Sequence, residues 1–352
     1  MKTIKIKYIG FWDGFIPEKN IFTKTILDNY NVIECDDPDY IICSCFNNME
    51  FYEYCNYPQV RIMYSGENYI PDFNFVDYAI SPYPIVFNDR HFRYPICFDD
   101  YNGRFNDLLK KERTYSKEDL FRKIYFANFI ASHDSEGNLR GDFYKQLSEY
   151  KRVEAFGSYL NNQPLGQTVD IYSKEEVQRL SKFTLCFEST KHEGFITEKI
   201  SDAFFSDTIP VYYGSEDVKN IFNEEAFIYC KNRSDFNSVI QRIIELDNDD
   251  ELYLEMLRKP IFREKDYAQN INRELSLFIH HIFDQPLNQA YRRSTWCIPQ
   301  WHEKFIQNSL KTKKSIQTGK IVSINNKKVV VKSLLKSIKK NVGRKISKKS
   351  KV

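Results

Sequence analysis

The sequence predicts an α/β protein built from two Rossmann-like domains whose parallel sheets face each other across a cleft. Three observations carry this expectation. Short apolar runs recur in two successive series, and helical stretches separate the runs, which is the pattern of parallel-sheet units. A polar, charged connection lies between the series. Neither series contains a GxGxxG fingerprint, so the cleft between the units is the expected binding site.

Taken in order, the chain opens on residues 1–10, where polar and apolar residues alternate as they do in a first strand. This stretch lacks the continuous apolar run of a signal peptide. Strands are expected at residues 4–8, 32–35, 40–45, 60–64 and 78–81. The second series falls at 123–130, 153–157, 183–188, 209–213 and 226–229. Residues 102–120, with Gly103 and the run Lys110-Lys111-Glu112-Arg113, are expected to connect the domains. The resulting division is 1–115 for the first domain, 116–290 for the second, 291–310 for a C-terminal helical segment and 311–352 for a basic tail.

A chain of 352 residues, 42% hydrophobic and 28% charged, can bury one large core or two medium ones. Its net charge of +3 hides an asymmetry. Residues 311–352 hold fifteen Lys or Arg and no Asp or Glu; removing them leaves 36 basic against 48 acidic residues, a net charge of −12. Such a tail is expected to touch an anionic polymer or membrane. No window approaches eighteen uncharged apolar residues, so no membrane-spanning helix is expected. The eight cysteines are scattered, as buried thiols in a reducing compartment would be, and the expected location is cytoplasmic.

Open α/β sheets bind ligands beyond the carboxyl ends of their strands, so the residues after each strand carry the chemistry. Ser65-Gly66-Glu67-Asn68 follows one strand. Arg140 lies at an expected helix start after another. Glu188 and Ser189, then Phe195 to Ile200, follow a third. In Thr197-Glu198-Lys199, helical spacing of Ile200, Ala203 and Phe204 places a helix over 198–205 with Thr197 at its N-cap. A helix N-terminus suits a diphosphate, Lys199 would add charge, and Glu198 could accept hydrogen bonds from sugar hydroxyls. An ordinary capped helix is the alternative. Arg140 could grip phosphate oxygens in a bidentate manner or be an exposed helical arginine. Glu67 could be a general base for a sugar hydroxyl or a solvated loop carboxylate.

Other groupings carry less. Asp37-Pro38-Asp39 mimics a metal-binding Asp-x-Asp but precedes a strand and reads as a turn. Cys43 and Cys45 lack a second ligand pair. His280 and His281 are adjacent on a helix and point to different sides. No Walker loop is present.

Residues 183–214 (FTLCFESTKHEGFITEKISDAFFSDTIPVYYG) closely resemble the signature of the α1,3/4-fucosyltransferase family. Residues 65–80 (SGENYIPDFNFVDYAI) resemble the acceptor-domain motif of its bacterial members, and residues 87–95 (FNDRHFRYP) and the segment around Arg140 also fit. The resemblance runs from about residue 60 to 260. It implies a GT-B fold, inversion at the anomeric carbon, no obligatory metal or cofactor, and GDP-fucose as donor. It further implies Glu67 as catalytic base, Arg140 and Lys199 on the donor diphosphate, and Glu198 on donor hydroxyls. Glu188, Ser189, Phe195 and Thr197 belong to the same donor segment, while Asn68, Arg90 and Arg93 fall on the acceptor side. Phe195 stands where many bacterial members have Tyr, and Ser189 where Asn is usual. Animal members carry a membrane anchor and stem; a bacterial type is expected here.

In the tail, Val331, Leu334, Leu335, Ile338 and Val342 recur at helical spacing among lysines, a basic amphipathic pattern suited to anionic lipid. The expected partners are therefore GDP-fucose, an oligosaccharide or lipid-linked glycan, and the inner face of a membrane. Nucleic acid is not expected, since no aromatic residue follows Phe305. Two other classes stand beside the enzyme reading: a non-catalytic glycan- or nucleotide-binding protein of the same fold, and a nucleic-acid protein with a basic tail.

Overall fold

The computed structural model describes residues 1–46, 52–99, 104–164, 167–168, 171–317, 321–324 and 327–330. The first domain contains β1 (Thr3–Ile9), α1 (Ile21–Asn29), β2 (Asn31–Glu34), β3 (Tyr40–Cys43), β4 (Val60–Tyr64), β5 (Tyr78–Ser81) and β6 (His91–Arg93). Its sheet runs β2-β1-β3-β4-β5-β6 with every pair parallel. β3, β4 and β5 are buried along their whole length, which is why they read as unbroken apolar runs. β6 was not expected. His91-Phe92-Arg93 has too little apolar character to read as a strand, and it is recruited at the sheet edge by pairing with β5.

The connection expected at 102–120 contains α2 (Arg104–Lys110) and α3 (Lys117–Leu120), so it is partly helical. The second domain follows with β7 (Tyr125–Phe129), α4 (Leu139–Tyr150), β8 (Val153–Ala155), α5 (Ile171–Arg179), β9 (Ser181–Phe187), α6 (Glu198–Phe205), β10 (Ile209–Tyr213), α7 (Val218–Ile221), β11 (Ile228–Tyr229), α8 (Phe236–Asn248) and α9 (Asp250–Arg258). Its parallel sheet runs β11-β10-β9-β7-β8. Two parallel sheets in sequence confirm the expected α/β architecture, and the strands at 60–64, 78–81 and 209–213 fall where the sequence put them.

The chain then returns to the first domain, earlier than expected. α10 (Lys265–Asp284) belongs to the segment assigned to the second domain, yet its contacts lie on the first. Phe278 stacks on Phe92, Phe283 packs edge-on against Tyr40, and Asn272 accepts a 2.9 Å hydrogen bond from Tyr94. The apolar stripe of α10 was legible in the sequence, but which sheet it covers depends on contacts far away along the chain.

Beyond α11 (Leu287–Ala290), Arg293 pairs with the fully buried Asp77 carboxylate, which also accepts backbone N–H groups of Arg61, Arg292 and Arg293 at 2.7, 2.7 and 2.9 Å. Arg61, itself 1% exposed, pairs with Glu303 of α12 (Ile298–Gln317). Buried charges persist only when paired and hydrogen-bonded, and this cluster meets both conditions. α12 runs through residue 311, so the expected boundary between helical segment and tail lies inside one helix. Beyond it, β12 (Ile321–Ile324) and β13 (Lys327–Val330) form an antiparallel hairpin that was not expected. The amphipathic pattern of 331–342 lies outside the described residues.

Candidate active site

β9 delivers the central group. Its last residue is Phe187, and Glu188 follows, fully buried. The Glu188 carboxylate accepts the Thr197 backbone N–H at 2.8 Å, the Thr197 hydroxyl at 2.9 Å and the Lys199 ammonium at 3.0 Å. Thus Glu188, expected as a donor contact, anchors the first turn of α6 from behind. Thr197 is the N-cap residue, but its hydroxyl donates to Glu188 and makes no side-chain cap bond to the helix. Space for Glu188 is kept by Gly214, where an added Cβ would come within 2.8 Å of Glu188 Cγ.

α6 itself forms because Ile200, Ala203 and Phe204 recur on one face and are buried. Burying Ile200 and Phe204 contributes roughly 2 kcal/mol each. The opposite edge presents Glu198 and Lys199. Lys199 lies 2.9 Å from the Thr197 hydroxyl and 3.8 Å from the Glu198 carboxylate. Its pKa is raised: burial alone would lower it, but Glu188 and Glu198 outweigh that. Glu198 is 49% exposed at its side chain. The surrounding walls oppose its charge, yet Lys199 and Lys174, with hydrogen bonds at the helix start, hold it at about 2. With half its surface open to solvent in the cleft, the two lysines decide the outcome.

Arg140 sits in the first turn of α4 and is 4% exposed, so the exposed-arginine reading does not hold. Its Nε and Nη2 donate to the Phe187 carbonyl at 2.9 and 2.7 Å, and Nη1 donates to the His133 carbonyl at 3.0 Å. Burial lowers its pKa, and Glu188, Asp134 and Glu198 counter that. These bonds fix the guanidinium at the ends of β7 and β9.

Glu67 comes from the first domain, on the loop after β4. Together with Gly66 it closes one side of a cleft of about 520 Å³, whose opposite wall includes Arg140, Ser189, Phe195, Thr197, Glu198 and Lys199. The Glu67 pKa is raised, chiefly by burial against the walls, with Lys199 opposing and Glu198 and Glu188 assisting. Its surface remains open to the cleft, so the carboxylate can meet a ligand there. The domains touch beside it. Gly194, with φ of +80°, lies so close to the Pro82 carbonyl that a side chain would also meet Pro84 at 2.9 Å.

The acceptor-side expectations land differently. Asn68 accepts a hydrogen bond from Tyr83. Arg90 donates to the carbonyls of Asp77, Phe73 and Val76 at 2.8, 2.9 and 2.7 Å and lies over the Phe73 and Phe87 rings. It therefore braces the loops at 73–87. Arg93 donates to Asp217 of the second domain at 2.6 Å, joining the two domains. None of the three is among the residues lining the Glu67 cleft.

Lys174 of α5 was not expected. It pairs with Asp202 of α6 at 2.6 Å and borders the hollow beneath Glu198 and Lys199. Nothing in its local sequence sets it apart from an ordinary helical lysine. His133 and Ser158, after β7 and β8, also line the cleft; the strand-end rule reached the first of these loops without assigning His133 a role.

Among the described residues no cluster of His, Cys, Asp or Glu could hold a metal ion, and no helix is long and apolar enough to cross a membrane. All eight cysteines are free thiols, five of them buried. His280 bonds toward Tyr30 and Asp284 while His281 bonds to Asp89, on different sides of α10 as expected.

Comparison with known proteins follows the same division of the chain. Residues 6–99 match the family model described as the alpha-(1,3)-fucosyltransferase FucT N-terminal domain. Residues 120–273 match the model for glycosyltransferase family 10 (fucosyltransferase), C-terminal part. The alpha-(1,3)-fucosyltransferase FucT of Helicobacter pylori is 33% identical over 225 residues, covering 56% of this chain and 46% of that protein. Human 4-galactosyl-N-acetylglucosaminide 3-alpha-L-fucosyltransferase 9 is 26% identical over 151 residues, covering 41% and 38%. This chain thus spans less than half the length of these relatives. Crystal structures of an alpha1,3-fucosyltransferase superpose with a TM-score of 0.67 at 27% identity, covering 81% of this chain and 91% of that one. The same comparison with a GDP-fucose complex gives 0.61 at 25% identity, covering 78% and 91%.

Proposed function

Because the chain belongs to glycosyltransferase family 10, the fucosyltransferases, we propose that it transfers L-fucose from GDP-fucose to a glycan hydroxyl, with inversion at the anomeric carbon. The observation that carries this reading is one cleft in which Glu67 from the first domain meets Arg140, Thr197, Glu198 and Lys199 from the second. In this scheme the diphosphate lies at the start of α6. Arg140 and Lys199 offset the charge that grows on it as the bond to fucose breaks. Glu198, ionised throughout the working range, accepts hydrogen bonds from donor hydroxyls. Glu67 takes the proton of the acceptor hydroxyl, O3 of GlcNAc or Glc, on the opposite side. The scheme calls for no metal or cofactor. The acceptor is an oligosaccharide or lipid-linked glycan, met at the inner face of a membrane that the basic residues after 311 hold by charge.

The test is kinetic. Glu67→Gln should keep GDP-fucose affinity and lower turnover by about 10²–10⁴-fold. Arg140→Ala and Lys199→Ala should weaken GDP binding measured by calorimetry. Near-normal turnover in Glu67→Gln would remove the base assignment, and unchanged GDP affinity in both other variants would move the diphosphate elsewhere. Binding of GDP-fucose without transfer or hydrolysis by the unaltered protein would favour a non-catalytic binding protein.

A further inference from the structure

We propose that Lys174 is a positioning residue of the donor site, which holds the Glu198 carboxylate in place from outside the cleft. Glu198 stands where three spaces meet. They are the cleft that faces Glu67, a hollow of about 90 Å³ beneath the start of α6, and a pocket of about 260 Å³ between α6 and α2. Its side chain is half exposed on a first helical turn, where more than one staggered rotamer is open to it. Charge therefore decides where the carboxylate sits. Lys174, on α5, borders the hollow and the pocket but is not among the residues lining the cleft.

Two acids on α6 share that lysine. Glu198 and Asp202 lie four residues apart, so their carboxylates fall on one helix face and repel each other. Lys199 does not offset both. Glu188 takes its ammonium at 3.0 Å, closer than Glu198 at 3.8 Å. Lys174 pairs with Asp202 at 2.6 Å and attracts Glu198 as well, so one cation quiets the repulsion. Around Glu198, the cations Lys199, Lys174 and Arg140 favour its ionised form, while Glu67 and Asp202 oppose it.

Without the charge of Lys174, the acids face each other among walls that already disfavour an anion. Asp202 keeps Arg104 at 3.8 Å, whereas Glu198 keeps the Lys199 that it shares with Glu188. Glu198 then takes up a proton as pH falls, and a protonated carboxyl accepts fewer hydrogen bonds from donor hydroxyls. That Glu198 meets those hydroxyls rests on the transferase reading.

The test measures GDP-fucose affinity of the full chain by calorimetry, without acceptor, at pH 7.5 and pH 4.5. In Lys174→Met and Lys174→Gln, the loss of affinity on acidification should exceed that of the unaltered protein by about threefold or more. The Gln variant keeps a hydrogen-bond donor for Asp202, so it stands in should the Met variant fail to fold. Lys174→Arg should restore the unaltered profile. Arg104→Met, which removes the other cation beside Asp202, should lower the thermal midpoint and leave the profile as it was. If the unaltered protein does not bind GDP-fucose, the donor reading falls and this role with it. If it binds but the neutral Lys174 variants keep its profile, the role of Lys174 alone falls. An equal acid loss in Arg104→Met would likewise overturn it, by showing a general loosening of α6.

Discussion

A sugar hydroxyl surrenders its proton only to a base that is ionised as the leaving group departs. As the proposed base, Glu67 has a pKa raised above its ordinary 4.5, which makes it a stronger base once ionised. The sign of the pH dependence follows. If Glu67 is the base, transfer requires its carboxylate, and activity should be present above this pKa and fall as pH drops through it. The acid limb of kcat/KM should therefore lie above pH 4.5, and a pH profile with full activity below that value would contradict the assignment. Glu198 supplies no such limb in this range, since its lysine neighbours hold it at about 2. That Glu67, Arg140, Glu198 and Lys199 would come to one cleft was legible because each sits just past a strand or at a helix start. What each touches was not. Glu188 looked like another cleft carboxylate, and only folding shows it fully buried behind Lys199. Arg90 and Arg93 lay in an acceptor-like segment, yet backbone carbonyls and Asp217 take their donors.

Between elements, α6 is held by charge as well as by its apolar stripe. Lys174 on α5 pairs with Asp202, and Arg104 on α2 lies 3.8 Å from the same carboxylate. Lys174 and Asp202 are each about one-fifth exposed, so the pair is only partly screened. Lys174→Met should lower stability by about 1–3 kcal/mol by leaving Asp202 short of a partner, whereas Lys174→Met with Asp202→Asn should recover part of that loss. Chemical denaturation of the two variants checks it, and a double variant less stable than the single would refute the coupling. No reading along the chain could find this pair, because α5 and α6 are separated in sequence by β9 and only the fold lays them side by side. The α6 stripe, by contrast, was legible to the residue, since spacing alone determines it. β6 was missed for the opposite reason: sheet pairing, not side-chain pattern, makes it a strand.

For the whole molecule, two parallel sheets in sequence were readable from alternation, while the return of the chain to the first domain was not. That return completes the first domain's core. Tyr30, Tyr40 and Phe92 pack against α10, and Asp77 depends on Arg293 for its countercharge. Residues 1–115 alone, the unit the sequence suggested, should therefore lack a cooperative thermal transition, and truncation at residue 290 should lower the thermal midpoint of the remaining chain. Breaking a buried pair of this kind costs about 3–5 kcal/mol. A sharp transition for 1–115, followed by circular dichroism, would show that the first domain is self-sufficient.

The same return gives synthesis a fixed order. The domain that leaves the ribosome first is finished only after the whole second domain has followed it, because α10 and the Arg293 cluster close a core begun at β1. A chain interrupted before α10 therefore leaves open the core of the domain whose β4 carries the Glu67 loop.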